Sequence, residues 1–174
     1  MFTKILLIFG IIVLASAAYA GHKGAPWVPT WKKDMKRIRE MLKLQAGERC
    51  VELGCGNGRI SRDLAKTTDA KEIVGVELSL LQWLIAKLQS RMDGSFTKTS
   101  FVLGNAFKHD VSDYDAVYMF LMPETYAKIQ NKLEKELKPG SRVVTYVWPI
   151  PGWMPTKIDK QEGSVDIYLY QRPL

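Results

Sequence analysis

One short run constrains this chain more than any other: Val51-Glu52-Leu53-Gly54-Cys55-Gly56-Asn57-Gly58-Arg59. An apolar stretch runs into three alternating glycines, and a helical pattern follows. Glycines at that spacing let a backbone turn tightly and let a ligand approach the main chain. The pattern is G-x-G-x-G and not the dinucleotide fingerprint G-x-G-x-x-G. At the sixth position of that fingerprint stands Arg59, too large for close helix–strand packing. No G-x-x-x-x-G-K-[ST] occurs, which argues against a P-loop nucleotidase. The run therefore predicts a strand–loop–helix unit of an α/β domain.

The flanking sequence extends that unit. Thr30 is positioned to cap a helix from Trp31 to about Leu44, with Trp31, Met35, Ile38, Met41 and Leu42 at helical spacing. Arg49–Leu53 reads as a buried strand, Arg59–Lys66 as a helix and Glu72–Glu77 as a second strand. Ser79 caps a helix through about Met92, with Leu80, Leu81, Leu84, Ile85 and Leu88 on one face. Ser100–Leu103 and Tyr114–Leu121 read as strands three and four. Pro123 opens a helix with Tyr126, Ile129, Leu133 and Leu137 inward. Arg142–Val147 is a fifth strand. Residues 156–161 and 164–171 read as a hairpin turning at Glu162-Gly163. Strands alternating with helices predict a doubly wound, Rossmann-like sheet ending in an antiparallel hairpin, with ligand at the carboxyl ends of the strands.

Two acids frame the glycine loop. Glu77 closes the second strand, where a carboxylate can accept both hydroxyls of a ribose. Glu52 precedes the loop and can orient its backbone or meet the amino group of a ligand. At this point the chain resembles class I S-adenosylmethionine-dependent methyltransferases over about residues 30–150. The resemblance rests on VELGCGNGR, on GVELS, on Gly104-Asn105-Ala106 and on LKPGSRVV. It implies S-adenosylmethionine as cofactor. It implies cofactor contacts from Glu52, Gly54, Gly56, Gly58, Glu77, Leu78, Asn105 and Ala106. The family usually carries Asp where Asn105 stands. An Asn carbonyl can still accept from the adenine amine, and Asp110 is the alternative acid.

A narrower resemblance follows from the order of pieces along nearly the whole length. A hydrophobic start, Ala25-Pro26-Trp27-Val28-Pro29-Thr30, GxGxGRI, GVELS, FLMPE and Trp148-Pro149-Ile150-Pro151-Gly152-Trp153 recur in that order. This is similar to the small membrane-anchored protein-lysine methyltransferases. Mitochondrial members of that group act on the ATP synthase c-subunit or the adenine nucleotide translocase. The resemblance implies a lysine of a membrane protein as methyl acceptor.

A lysine must lose its proton before it attacks a methyl group. Neutralising it at pH 7 costs about 4.6 kcal/mol, and an apolar channel lowers that cost by desolvation. The expected walls are Phe120, Leu121, Met122 and Pro123 after strand four and Trp148–Trp153 after strand five. Among these, Phe120, Pro123 and Trp148 are the candidate catalytic residues, with Glu124 to attract the lysine or accept its proton. Glu124 also suits a helix N-terminus for purely structural reasons.

Other chemistries find little support. Cys50 and Cys55 are the only cysteines, and His22 and His109 the only histidines, so no metal site and no disulfide framework is expected. The net charge of +7 is spread along the chain. Nucleic acid is not the expected partner, because FLMP replaces an Asn-Pro-Pro-aromatic motif. A lipid, quinone or other small acceptor is the enzymatic alternative. An exported, non-catalytic binding domain is the alternative of another class.

The first twenty residues bear on location. Ile5–Ala20 is almost wholly apolar. It fits either a transmembrane anchor or a signal peptide cleaved after Ala18-Tyr19-Ala20. Lys23, Lys32, Lys33, Lys36, Arg37 and Arg39 follow it, so the positive-inside rule favours an anchor. The expectation is a single-pass protein touching the bilayer through residues 2–20, with a linker over 21–30. A methyltransferase domain over 31–174 would then face the cytoplasm or matrix.

Overall fold

The computed structural model describes residues 2–23 and 28–172. Five apolar segments become the parallel heart of one sheet: β1 (Arg49–Leu53), β2 (Glu72–Glu77), β3 (Thr99–Leu103), β4 (Ala116–Met119) and β5 (Arg142–Tyr146). Strands β1, β2, β4 and β5 are buried on both faces, which is why they read as continuous apolar runs. Two further strands, β6 (Lys157–Asp159) and β7 (Ile167–Gln171), pair antiparallel with each other, and β7 runs antiparallel to β5. The seven-stranded order is β3-β2-β1-β4-β5-β7-β6. The order reverses between β1 and β4, so a crevice opens there at the carboxyl ends.

The helices α2 (Met35–Leu42) and α3 (Arg59–Thr67) cover one face, where Ile38, Leu42, Ile60 and Leu64 pack on Ile73, Tyr118 and Val144. The helix α5 (Pro123–Glu136) covers the other, and Tyr126, Ile129, Leu133 and Leu137 are all buried there. Between β3 and β4 the chain forms no helix, and Phe107, Val111 and Tyr114 fill that part of the core.

Several boundaries differ from the sequence expectation. The first domain helix is shorter and split. Lys32–Asp34 forms a 3₁₀ turn, and α2 begins only at Met35. Thr30 caps nothing; its hydroxyl pairs with the buried Tyr118 hydroxyl at 3.1 Å. Strand β4 ends at Met119, which frees Phe120 and Leu121 from the ladder. Strand β5 ends at Tyr146, because Val147 adopts a left-handed φ of 74° that no strand continues.

The helix α4 (Leu80–Met92) brings the largest correction. Its leucine face is not the buried one. Only Ala86 and Ser90 are buried on this helix, while Leu81, Leu84, Leu88 and Met92 are exposed. The cause is steric. Phe101 lies across Gly58 and Gly75, and α4 can approach it only through small side chains. Ser90 bonds Thr99 across that contact at 2.8 Å, and the Trp83 indole donates to the Phe101 carbonyl at 2.9 Å.

The apolar start forms a helix, α1 (Phe2–Lys23), that extends three residues into the expected linker. Ala25, Pro26 and Trp27 lie outside the described residues. Among the described residues, no helix is long and apolar enough to cross a membrane. The carboxyl-terminal half of α1 docks on α4, where the Ser16 hydroxyl accepts the Leu80 N–H at 2.8 Å.

Candidate active site

The crevice at the reversal of strand order is a cavity of about 430 Å³, within the roughly 300–1,000 Å³ range of small-molecule sites. Its floor is the glycine loop. Gly54 and Gly56 take left-handed φ values of 79° and 53°, and both line the cavity. The Gly54 and Cys55 N–H groups donate to the Val76 carbonyl at 2.9 and 3.0 Å, which fastens the loop to β2. A Cβ on Gly54 would lie 2.7 Å from the Leu121 side chain, which follows β4, so glycine lets that side chain lie close against the loop.

Glu77 stands opposite, at the end of β2. One carboxylate oxygen accepts from Gly56 N–H at 2.8 Å and the other from Ser79 N–H at 2.7 Å. Two backbone donors thus fix the acid at the lip of the cavity. Glu52 lines the cavity from β1 and is buried. It accepts the Ser61 N–H at 2.8 Å and the Ser61 hydroxyl. Burial dominates those bonds and pushes its carboxyl up to about 8, with the nearby Glu77 adding to the rise. Burial thus makes Glu52 hold its proton more tightly than an exposed acid, and a cation beside it would favour the ionised form.

Leu78, Asn105 and Ala106 also line the cavity. The Asn105 side-chain carbonyl accepts the Phe107 N–H at 2.9 Å, and that bond holds the turn after β3. Asp110 and His109 lie outside the lining. Gly58, expected to touch cofactor, does not line the cavity. It caps α3 with φ 69°, and an added Cβ would lie 2.6 Å from Phe101. The structure shows it as a packing position against Phe101 and Ala86.

The four residues expected at the acceptor end separate. Phe120 lines the cavity and packs edge-on against Tyr146 at 4.9 Å. Pro123, Glu124 and Trp148 do not line it. The turn at Pro123 starts α5 away from the cavity and leaves Glu124 exposed, and the left-handed Val147 leads to an exposed Trp148. Leu121 and Thr125 take the places beside Phe120.

A third wall comes from segments that the strand pattern does not announce. Ala20, Val28, Pro29 and Thr30 line the cavity. Arg59 donates to the Thr30 carbonyl at 2.9 Å, so the residue that spoils a dinucleotide fingerprint ties the amino-terminal segment over the glycine loop. Both cysteines are buried, and burial raises both thiols, so neither is a reactive thiolate. Among the described residues, no group of His, Cys, Asp and Glu side chains could hold a metal ion.

Residues 52–157 match the ANTKMT methyltransferase domain family. The chain belongs to that family. A protein-lysine N-methyltransferase of Saccharolobus islandicus is 37% identical over 156 residues, covering 88% of this chain and 96% of that one. The human lysine N-methyltransferase named for the ATP synthase c-subunit is 29% identical over 83% of this chain, which spans 60% of the human protein's length. Among solved structures, an RNA methyltransferase from Salinibacter ruber in complex with S-adenosyl-L-homocysteine superposes with a TM-score of 0.80. It is 28% identical, and the match covers 84% of this chain and 94% of that one. The methyltransferase cavity occupies the carboxyl ends of the strands, where the α/β rule puts a ligand.

Proposed function

We propose that this methyltransferase transfers a methyl group to a lysine side chain of a membrane protein, and that it works from the cytoplasmic face. The methyl donor is S-adenosylmethionine. The observation that carries this reading is the pairing of an anchored Glu77 with a buried Glu52 across one glycine-floored cavity. Such a pair suits a ligand with ribose hydroxyls at one end and a cationic amino acid at the other.

The donor supplies an activated methyl on a sulfonium, so the chain has to align and desolvate. Glu77 can accept two hydroxyls while its backbone donors hold it still. Glu52 can give up its proton as an ammonium group arrives. Phe120, Leu121 and the Val28–Thr30 segment enclose the rest of the cavity in largely apolar surface. An amine entering there is pushed toward its neutral form, the form that attacks. No side chain outside that apolar wall is needed as a strong base.

A protein acceptor is supported by the lysine methyltransferases of similar sequence from archaea and animals. A membrane acceptor is supported by the human relative's named target and by a mouse relative named for the adenine nucleotide translocase. The cytoplasmic face is supported by the lysines and arginines that follow α1, which suit an anionic inner leaflet, and attachment at the bilayer surface by the exposed apolar side chains of α1.

The test uses the full chain, native membranes and tritium-labelled S-adenosylmethionine. Label is expected in a protein band, stable to base, and recovered as methyl-lysine. Glu77→Ala should weaken binding of S-adenosylhomocysteine by about 10- to 100-fold, the worth of hydrogen bonds to a charged acceptor. Label in the lipid extract would move the acceptor to a small molecule. Retrieval of the chain from outside the cell, beginning at Gly21 and inert to the donor, would replace the reading with an exported binding domain.

A further inference from the structure

The outward face of α4 is only partly covered: α1 packs beside its amino-terminal end, Leu81 and Leu84 are 37% and 38% exposed, and the cover thins toward the carboxyl end. Leu81, Leu84, Leu88 and Met92 fall at i, i+3, i+7 and i+11, which is one stripe of a helix. The stripe is about 17 Å long. Leu88 is 60% exposed and Met92 77%, and Phe96, just beyond the helix, is 57%. A soluble surface seldom leaves such a run uncovered. The flank is basic and aromatic. Lys87 lies over the Trp83 ring at 4.5 Å, and Arg91 is exposed. Neither pairs with a carboxylate among the described residues.

The neighbour of this face says what covers it. Helix α1 docks on α4 through Ser16 and Leu80, and its exposure grows toward the amino terminus. Ala20 is buried, Ser16 is partly buried, and Phe2 through Ile8 are exposed. The amino-terminal end of the leucine stripe thus lies next to the Leu80–Ser16 contact with a helix whose other half is apolar and exposed. An apolar stripe with a Trp and basic residues at its edge is the pattern of a helix lying in a lipid interface.

We infer that α4 is a second bilayer contact. Its leucine stripe lies in the headgroup–acyl boundary of an anionic leaflet beside α1, with Lys87 and Arg91 toward the headgroups. This rests on the reading that the enzyme works at a membrane, and it adds an orientation. One anchor leaves a domain free to swivel, whereas two adjoining contacts hold it in one attitude. Ala20 belongs both to α1 and to the cavity wall. The α1 side of the cavity therefore faces the lipid, where a lysine near the end of a membrane helix would be presented.

The experiment is co-sedimentation of the full chain with sealed vesicles of phosphatidylcholine, alone and with phosphatidylglycerol. A Leu84→Ser, Leu88→Ser, Met92→Ser variant is expected to lose at least about tenfold in vesicle partitioning. It should still bind S-adenosylhomocysteine like the parent, since none of the three residues lines the cavity. Lys87→Gln with Arg91→Gln should cost roughly fivefold per charge on anionic vesicles and little on neutral ones. An environment-sensitive dye on Leu88→Cys should shift to the blue when vesicles are added; Cys50 and Cys55 are buried and escape labelling.

Unchanged partitioning of the serine variant, or no shift of the dye, would overturn the inference. So would a lipid-free dimer abolished by the serine substitutions, or a photo-probe at Leu88→Cys that crosslinks to a protein and not to lipid. A parent chain that ignores vesicles altogether would sink the membrane reading as well. Vesicle binding that behaves as expected in a chain that methylates no protein would leave this inference standing and remove the proposed acceptor.

Discussion

At the scale of single residues, Glu52 is the group whose environment departs furthest from water. An exposed glutamate releases its proton near 4.5, whereas burial in the fold pushes Glu52 up to about 8. Between those values the native chain binds more protons than the unfolded one, so stability falls as pH rises through that window. Thermal melts of the empty enzyme across it should show the decline. Glu52→Gln, whose carbonyl can still accept from Ser61, should flatten it. The same linkage reaches binding. If a cationic ligand ionises Glu52, its binding at pH 7 releases a proton. Calorimetry in buffers of different ionisation enthalpy should detect that release in the parent and lose it in Glu52→Gln.

At the scale of elements, the two sides of the glycine loop have separate duties. Gly54 and Gly56 face the cavity; Gly58 faces Phe101 and Ala86. Gly58→Ala combines a left-handed backbone with a clash and should destabilise the fold by about 2–4 kcal/mol in denaturant titrations. What the sequence revealed follows the same division. The interior strands and the inward face of α5 were legible, because long apolar patterns report burial directly. The glycine loop, Glu77 and Phe120 were legible, because each sits at the carboxyl end of a strand. The facing of α4 was not, since its contact is made by Ala86 and Ser90 and not by its leucines. Nor was the wall at Val28–Thr30. It reaches the cavity through an Arg59 bond and a Tyr118 bond, partners far away in sequence. Pro123, Glu124 and Trp148 lie outside the cavity lining for a local reason. A left-handed Val147, one residue past β5, and a helix start at Pro123, four residues past β4, redirect the chain.

At the scale of the whole molecule, the first domain helix is clasped to the last hairpin. Arg37 on α2 donates to Asp34 at 2.9 Å, to Asp159 at 3.0 Å and to the Val165 carbonyl at 3.0 Å. Asp34 in turn accepts from Tyr146 and Ser164, and its side chain is almost wholly buried. Arg37→Met leaves a buried carboxylate without its cation and should cost about 3–5 kcal/mol. The measurement is the denaturant midpoint of the variant, which should also lose cooperativity between α2 and the hairpin. A different tie joins the opposite end of the chain to the ligand. Because Ala20 lies in the last turns of α1 and is also a stone in the cavity wall, the docking of that helix and the shape of the cavity are linked. Whatever holds α1 against α4 also keeps the cavity closed on that side. By the reciprocity of linked equilibria, an occupied cavity grips the helix in return. Were α1 to lie in lipid as proposed, the bilayer would change cofactor affinity by the same factor that the cofactor changes the docking of α1.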